Sequence, residues 1–432
     1  MTEMDEVRGG SVRPSAMSWK NGVGSALGIG SLALGIFVLP LAARVWPPSV
    51  LATYALTFRL VAILGPVVVL GSTVSLPRDL ARAHDTSVAE AQIRSALVMI
   101  VASMVVVAVA VFVFRGSLTM LASADQNEVS STALAVIILV CGSALVALAG
   151  AILRGLFRPV SASALNVVYI GIVPLVAILS SQSALAAISI IGGVSALVSV
   201  AVVVGCLRGR LIGPMGSLKR FILYGIERLP GEVALFGMFA LPPLLVLQRS
   251  GSLDATSLSI TISLVTAAGS IVAVVSNIAL PHFSHMFASS SSIQIRTQIG
   301  RLVAVVVAGS LVFGILGFIF IPEVLSVYVG SEYANAGMSI RIAALAAGPF
   351  ACFCGLRVIP EAYFRRPVMM RASIAVGAAS ALLYLILISS GSRLSAETVF
   401  CVSMIGLGLA SVVLSTSVAR EASMPIRRDG EG

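Results

Sequence analysis

Residues 19–46 read WKNGVGSALGIGSLALGIFVLPLAARVW, and this stretch decides the class of the fold. Its charges, Lys20 and Arg44, stand at its two ends, and the apolar run from Gly22 to Ala43 matches the roughly 20 residues a helix needs to cross a bilayer. Trp19 and Trp46 bracket it, about 40 Å apart at 1.5 Å per residue, which spans a bilayer with the interfacial layers that indoles prefer. The run is too long for a signal-peptide core and lacks a small-residue cleavage pattern, so it reads as a retained first transmembrane helix.

Working outward, twelve such runs are predicted at roughly 22–44, 50–71, 94–114, 130–151, 160–180, 184–206, 220–247, 256–281, 301–322, 336–357, 368–390 and 396–418. They are continuous, whereas barrel strands alternate over about ten residues, so the expected fold class is an all-α integral membrane protein. Composition agrees: 58% of the 432 residues are hydrophobic and 11% charged, against roughly 25% charged in a soluble domain.

The net charge of +10 would suggest nucleic acid in a soluble protein, but here it follows topology. With the amino terminus inside, twenty of the 28 basic residues fall in cytoplasmic segments, while the outer loops hold Arg44, Arg115, Arg249 and Arg393. By the positive-inside rule both termini are expected in the cytoplasm of a bacterium, with the chain multi-pass in its inner membrane and no nucleic-acid partner. Arg59, Arg228, Arg341 and Arg357 are left within helices.

An internal repeat emerges at a shift of about 204. Ser72-Thr73-Val74-Ser75-Leu76-Pro77-Arg78 closes helix 2 as Ser276-Asn277-Ile278-Ala279-Leu280-Pro281-His282 closes helix 8. Leu39-Pro40 corresponds to Leu241-Pro242, and Arg158-Pro159-Val160 to Arg366-Pro367-Val368. The expected organisation is a cytoplasmic tail over 1–21, an amino-terminal lobe of helices 1–6 over 22–206 and an inter-lobe loop over 207–219. A carboxy-terminal lobe of helices 7–12 over 220–418 and a cytoplasmic tail over 419–432 complete it, the lobes being related by a pseudo-twofold.

No catalytic constellation is visible, so no enzyme is expected. His84, His282 and His285 lie in loops or at a helix end, the acidic residues are scattered, and no nucleotide-binding glycine pattern stands in context. The five cysteines, Cys141, Cys206, Cys352, Cys354 and Cys401, sit in apolar runs and read as inert thiols, with no metal site and no cofactor.

The informative residues are the intramembrane charges, because Arg or Asp at a helix centre costs about 2.5 to 3.5 kcal/mol even on permissive scales. Arg59 lies near the middle of helix 2, too deep to reach the interface easily, and is expected in a cavity. In helix 7, Arg228 and Glu232 share a face at i, i+4 spacing, beside Glu227. They read equally as a structural pair and as a site, because Pro230 and Gly231 are expected to open the helix there. Arg341 lies about a turn into helix 10 from outside, and Arg59, Arg228, Arg154 and Arg341 are the residues expected to bind an anionic substrate in the cavity. Helices 1 to 6 carry no acidic residue in their apolar cores, so a basic interior suited to an anion such as a lipid pyrophosphate is expected. An exporter of cationic drugs would need a buried carboxylate there.

Helix 7 opens on Tyr224-Gly225-Ile226-Glu227-Arg228-Leu229-Pro230-Gly231 and helix 4 closes on Leu153-Arg154-Gly155-Leu156-Phe157-Arg158, and in these the chain resembles a polysaccharide or oligosaccharide flippase of the multidrug/oligosaccharidyl-lipid/polysaccharide (MOP) exporter superfamily. The first stretch is similar to that family's Tyr-Gly-Leu-Pro-Arg-Leu-Pro-Gly, with Glu227 in place of the first proline. The second is similar to its Leu-Arg-Gly-Leu-Gly-Arg, and Val327-Tyr328-Val329-Gly330-Ser331-Glu332-Tyr333 adds support to the resemblance. It implies two six-helix bundles around a central cavity, moving a polyprenyl-pyrophosphate-linked glycan to the outer leaflet by alternating access, with Arg228 and Arg154 in family motifs. The partners it implies are the lipid-linked glycan, membrane lipid and polysaccharide polymerase or assembly proteins; the chain is expected to act as a monomer. Coupling to sodium, protons or membrane potential stays open, Glu227, Glu232 and Glu361 being the carboxylates that would serve it. The alternative of the same fold is a small-molecule or drug antiporter.

Overall fold

The computed structural model describes residues 19–81, 85–121, 128–156, 158–208, 212–216, 218–289, 292–334, 337–364, 368–390 and 395–422. The ends of both tails, Arg82, His84, Arg210, Arg365, Arg393 and the Arg366-Pro367 half of one repeat match lie outside the described residues.

Among the described residues twelve helices are long and apolar enough to cross a membrane. They are α1 (Ala26–Val45), α2 (Pro48–Val69), α3 (Thr86–Val113), α4 (Val129–Gly155), α5 (Pro159–Ser180), α6 (Ala184–Cys206), α7 (Phe221–Ser250), α8 (Ser252–Ala273), α9 (Ile293–Tyr328), α10 (Gly337–Tyr363), α11 (Val368–Ser389) and α12 (Ala396–Glu421). These match the twelve predicted runs.

The packing repeats as the sequence does. In α1–α6 the first helix packs on the fifth, and the fourth gathers the second, third and sixth; α7–α12 pair in the same way. The sixth helix of each set begins alike, Ser183 accepting from the Ala186 amide and Ser395 from that of Thr398, both at 3.2 Å, as N-caps do. Where α4 meets α6 the backbones nearly touch, because a Cβ at Gly142 would lie 2.3 Å from the Gly192 carbonyl oxygen. Small residues give this approach in membranes, where packing replaces the hydrophobic effect between helices. The third helix of each set turns outward, leaving Val105, Val106 and Val109 of α3 and Val305, Leu311 and Val312 of α9 exposed to lipid.

Three local features position the site. α2 starts on Pro48, whose missing N–H costs a helix nothing there. It ends at Leu70 (φ 44°) and Gly71 (φ 66°), a left-handed break before a short helix over Ser72–Ala81. In α5, Val167–Ile172 form a π-helical turn in which the Val173 amide donates to the Val168 carbonyl. Pro174 follows and lacks the N–H that the Ile170 carbonyl would otherwise take, which is how prolines disturb a helix interior.

Two expectations are corrected. The helix containing α7 runs unbroken from Leu218 to Ser250 through Pro230, so Pro230 and Gly231 do not open it. Gly231 instead lets α11 approach, a Cβ there lying 2.7 Å from the Met370 carbonyl oxygen. Trp46 does not face lipid: it is buried in the protein, donates to the Ser181 carbonyl at 3.0 Å and packs edge-on against Tyr54.

Candidate functional site

Between the two sets of six helices lies a cavity of about 370 Å³, walled by α1, α2, α5 and α6 on one side and by α8 and Tyr328 of α9 on the other. Its one charged lining residue is Arg59, and no carboxylate lines it among the described residues. Opposite stand Ser259, Ser263, Thr266 and Ser270, spaced so that they share one face of α8. Tyr54, Phe58, Tyr169 and Tyr328 add aromatic walls.

Arg59 reaches across the cavity. Its Nε donates to Ser259 Oγ at 3.0 Å, and its Nη2 donates to the Ser259 carbonyl and to Ser263 Oγ. No hydrogen bond uses Nη1 among the described residues. Each hydroxyl oxygen has lone pairs to accept with, and Ser263 Oγ meanwhile donates its own proton to the Ser259 carbonyl at 2.9 Å. Arg59 and Ser263 are 204 residues apart, the shift of the repeat, so the two equivalent positions bond each other. Residues equivalent under a twofold meet in this way only near the axis, which places the pair at the centre of the molecule.

The lobes touch on both sides of the cavity. Toward the arginine-rich face, Gly225 packs on Leu70, where a Cβ would lie 2.5 Å from the Leu70 carbonyl oxygen, and Arg228 and Tyr224 pack on Gly71. Toward the opposite face, the Tyr328 hydroxyl donates to the Ile36 carbonyl.

Of the arginines singled out in the sequence, Arg59 alone lines the cavity. Arg228 lies against Gly71, twelve residues or about 18 Å along the chain direction of α2 from Arg59. It pairs with Glu232 at 2.5 Å, and Glu361 adds a second carboxylate nearby. Glu227 points outward and is exposed. Arg154 is exposed at the end of α4, its Nη1 folded back toward Gly150. Arg341 donates to the Ile319 carbonyl of α9 at 3.4 Å. The structure thus joins Arg228 to Glu232 and leaves both apart from Arg59.

Sequence reading missed the cavity's hydroxyls and tyrosines. A signal was present, since Thr256, Ser257, Ser259, Thr261, Ser263, Thr266 and Ser270 concentrate in α8.

No family model and no curated protein matches the sequence. Solved structures do. The eukaryotic MATE transporter AtDTX14 aligns over 94% of this chain and 97% of its own, with TM-score 0.68 at 15% identity. The chain has the fold of the MOP superfamily transporters. An inward-facing multidrug resistance MATE family transporter of the MOP superfamily aligns over 92% and 94%, with TM-score 0.64 at 15% identity. A MOP superfamily transporter from Pyrococcus furiosus aligns over 94% and 95%, with TM-score 0.58 at 13% identity. The MOP fold comprises two six-helix lobes, α1–α6 and α7–α12 in this chain, and the inter-lobe cavity lies between them.

Proposed function

We propose that this protein is a transporter that flips a polyprenyl-pyrophosphate-linked oligosaccharide from the cytoplasmic to the outer leaflet of the bacterial inner membrane, for cell-surface polysaccharide biosynthesis. The observation that carries this reading is the cavity between the lobes, where among the described lining residues Arg59 is the one charge and no carboxylate stands. Such a cavity attracts an anion and repels a cation. A guanidinium binds phosphate bidentately, and charge-assisted bonds of this kind are about twice as strong as neutral ones.

The same contacts support alternating access. Arg59 bonds Ser259 and Ser263 of the other lobe and holds the seam together. A pyrophosphate outcompetes those neutral acceptors for Arg59, so its binding favours the state in which the lobes part. The cavity of about 370 Å³ is at the small end of ligand sites, 300–1,000 Å³. It takes the anionic head, while an oligosaccharide needs the parted state. The α8 hydroxyls then meet the sugar's polar groups, the aromatic walls meet its apolar faces, and the polyprenyl tail stays in lipid. The Arg228–Glu232 pair closes the seam at the arginine-rich face and binds no substrate in this scheme.

The second reading is a drug antiporter, supported by the MATE transporters among the solved neighbours. The Pyrococcus furiosus transporter is itself described as having a binding pocket of reverse polarity that suggests a different function, so the fold accommodates both signs of charge. Deleting the gene separates the readings. Accumulation of polyprenyl-linked oligosaccharide on the cytoplasmic side, rescued by wild type and not by Arg59→Ala, supports the flippase. Sensitivity to cationic dyes with no glycan defect supports the antiporter.

A further inference from the structure

A second cavity, about 570 Å³, lies on the outer wall of the amino-terminal lobe, away from the seam. Its sides are α5 and α6, and small residues cut it: Ser161 and Ala164 on one helix, Ala201 and Gly205 on the other, all exposed. A Cβ at Gly205 would meet nothing within 4 Å, so the space there is open. Along α5 the groove runs from Arg158 to Val168, about 15 Å at 1.5 Å per residue, half of the roughly 30 Å hydrocarbon core. It therefore spans a single leaflet, the one on the arginine-rich side.

Arg158 stands at one end of the groove, just before the first residue of α5. Its side chain is exposed and makes no hydrogen bond or ion pair among the described residues. An apolar channel one leaflet long, ending in a guanidinium with no partner among the described residues, matches a molecule with an aliphatic chain and an anionic phosphate. Basic pockets between transmembrane helices on the cytoplasmic side bind anionic headgroups for this reason.

We infer that the α5–α6 groove binds one anionic phospholipid of the phosphatidylglycerol type from the arginine-rich leaflet, its chain between the helices and its phosphate on Arg158. The site is independent of the transported substrate. Its occupant rests against Val168, which belongs to the π-helical turn whose next residue, Tyr169, lines the central cavity.

The test is native mass spectrometry of the purified full-length protein incubated with phosphatidylglycerol, with phosphatidylcholine of the same chains, or with soluble glycerol phosphate. Phosphatidylglycerol is expected to persist as an adduct, with phosphatidylcholine and glycerol phosphate weaker. Arg158→Gln is expected to lower phosphatidylglycerol retention roughly fivefold, the contribution of one interfacial basic residue. Gly205→Leu fills the groove, keeps Arg158 and improves helix propensity, so it should fold and lose retention as strongly. Arg301→Gln, an exposed arginine on α9 outside the groove, serves as control and should change little. Equal retention of both phospholipids, unchanged retention in both groove variants, an equal loss in the control, or co-purified polyprenyl phosphate in place of phospholipid would each overturn the inference.

Discussion

α2 and α8 hold the same place in the two lobes, yet they differ at two points. Where α2 carries Arg59, α8 carries Ser263; where α2 breaks at Leu70 and Gly71, the helix containing α8 continues from Ser252 to Ser289. The first difference makes the axis useful. Two arginines facing each other there would repel, and two serines would offer an anion no charge, whereas one of each gives a cation held by neutral acceptors that stronger ones can displace. The second difference turns the end of α2 onto Gly225 and Arg228 of α7, closing the seam on one side. The duplication supplies the frame and its local violation supplies the site.

The largest expected effect comes from erasing the first difference. Arg59→Ala removes the charge, and at about 1.5 kcal/mol for each of two charge-assisted bonds, transport should fall on the order of a hundredfold. Arg59→Lys, a point charge without the planar fork, should recover only part of this. Both are read as oligosaccharide flipped by membranes of equal protein content.

Exchanging the two residues sharpens the comparison. Arg59→Ser alone should be as impaired as the alanine variant, while Arg59→Ser with Ser263→Arg returns the charge to the axis from the other lobe. If position near the axis is what matters, the double variant transports at least about tenfold better than the single one, roughly 1.4 kcal/mol. Equal defects would show that the two lobes' positions are not interchangeable.

Removing the second difference should act on access. Gly71 has φ 66°, so Gly71→Ala strains the backbone by about 1 kcal/mol and presses on Arg228. The seam at the arginine-rich face should open several-fold more often, checked by thiol labelling of a cysteine placed at Ser270 in a background lacking the five native cysteines.

Much of this architecture was legible in the sequence. Continuous apolar runs mark the twelve helices because a bilayer requires about 20 such residues each, and the repeat marks the lobes. Arg59 was identifiable because a charge in mid-membrane is costly wherever it points. Which way less costly residues point was hidden. Ser263 donates to the Ser259 carbonyl of its own helix, and hydropathy treats it and Ser259 as tolerated helix residues, although they complete the site from the other lobe. Arg228 carried the stronger motif, yet its partner Glu232 one turn away neutralises it at the seam, outside the cavity. The π-helical turn depends on Pro174 in its tertiary setting, and Trp46 is buried by contacts with Ser181 and Tyr54 that no run of residues announces.

The smallest effect expected is at the inter-lobe loop, which is fastened to the amino-terminal lobe rather than shared. Arg94, buried and paired with Glu90 at 2.9 Å, donates to the Pro214 carbonyl at 3.1 Å, and the Gly216 amide donates to the Ala91 carbonyl at 3.0 Å. Arg94→Ala should cost about 1–3 kcal/mol of stability, visible as a lowered melting temperature in detergent, with transport per folded molecule changed less than about threefold.

The most direct test of the central claim is the binding of a polyprenyl pyrophosphate to the purified protein, compared with a cationic dye, in wild type and Arg59→Ala. The expected result is that the pyrophosphate binds wild type, binds the variant on the order of a hundredfold more weakly, and is not displaced by the dye. Equal binding of the pyrophosphate to both proteins, or dye binding that strengthens when Arg59 is removed and competes with the lipid, would contradict an anion site at the lobe axis.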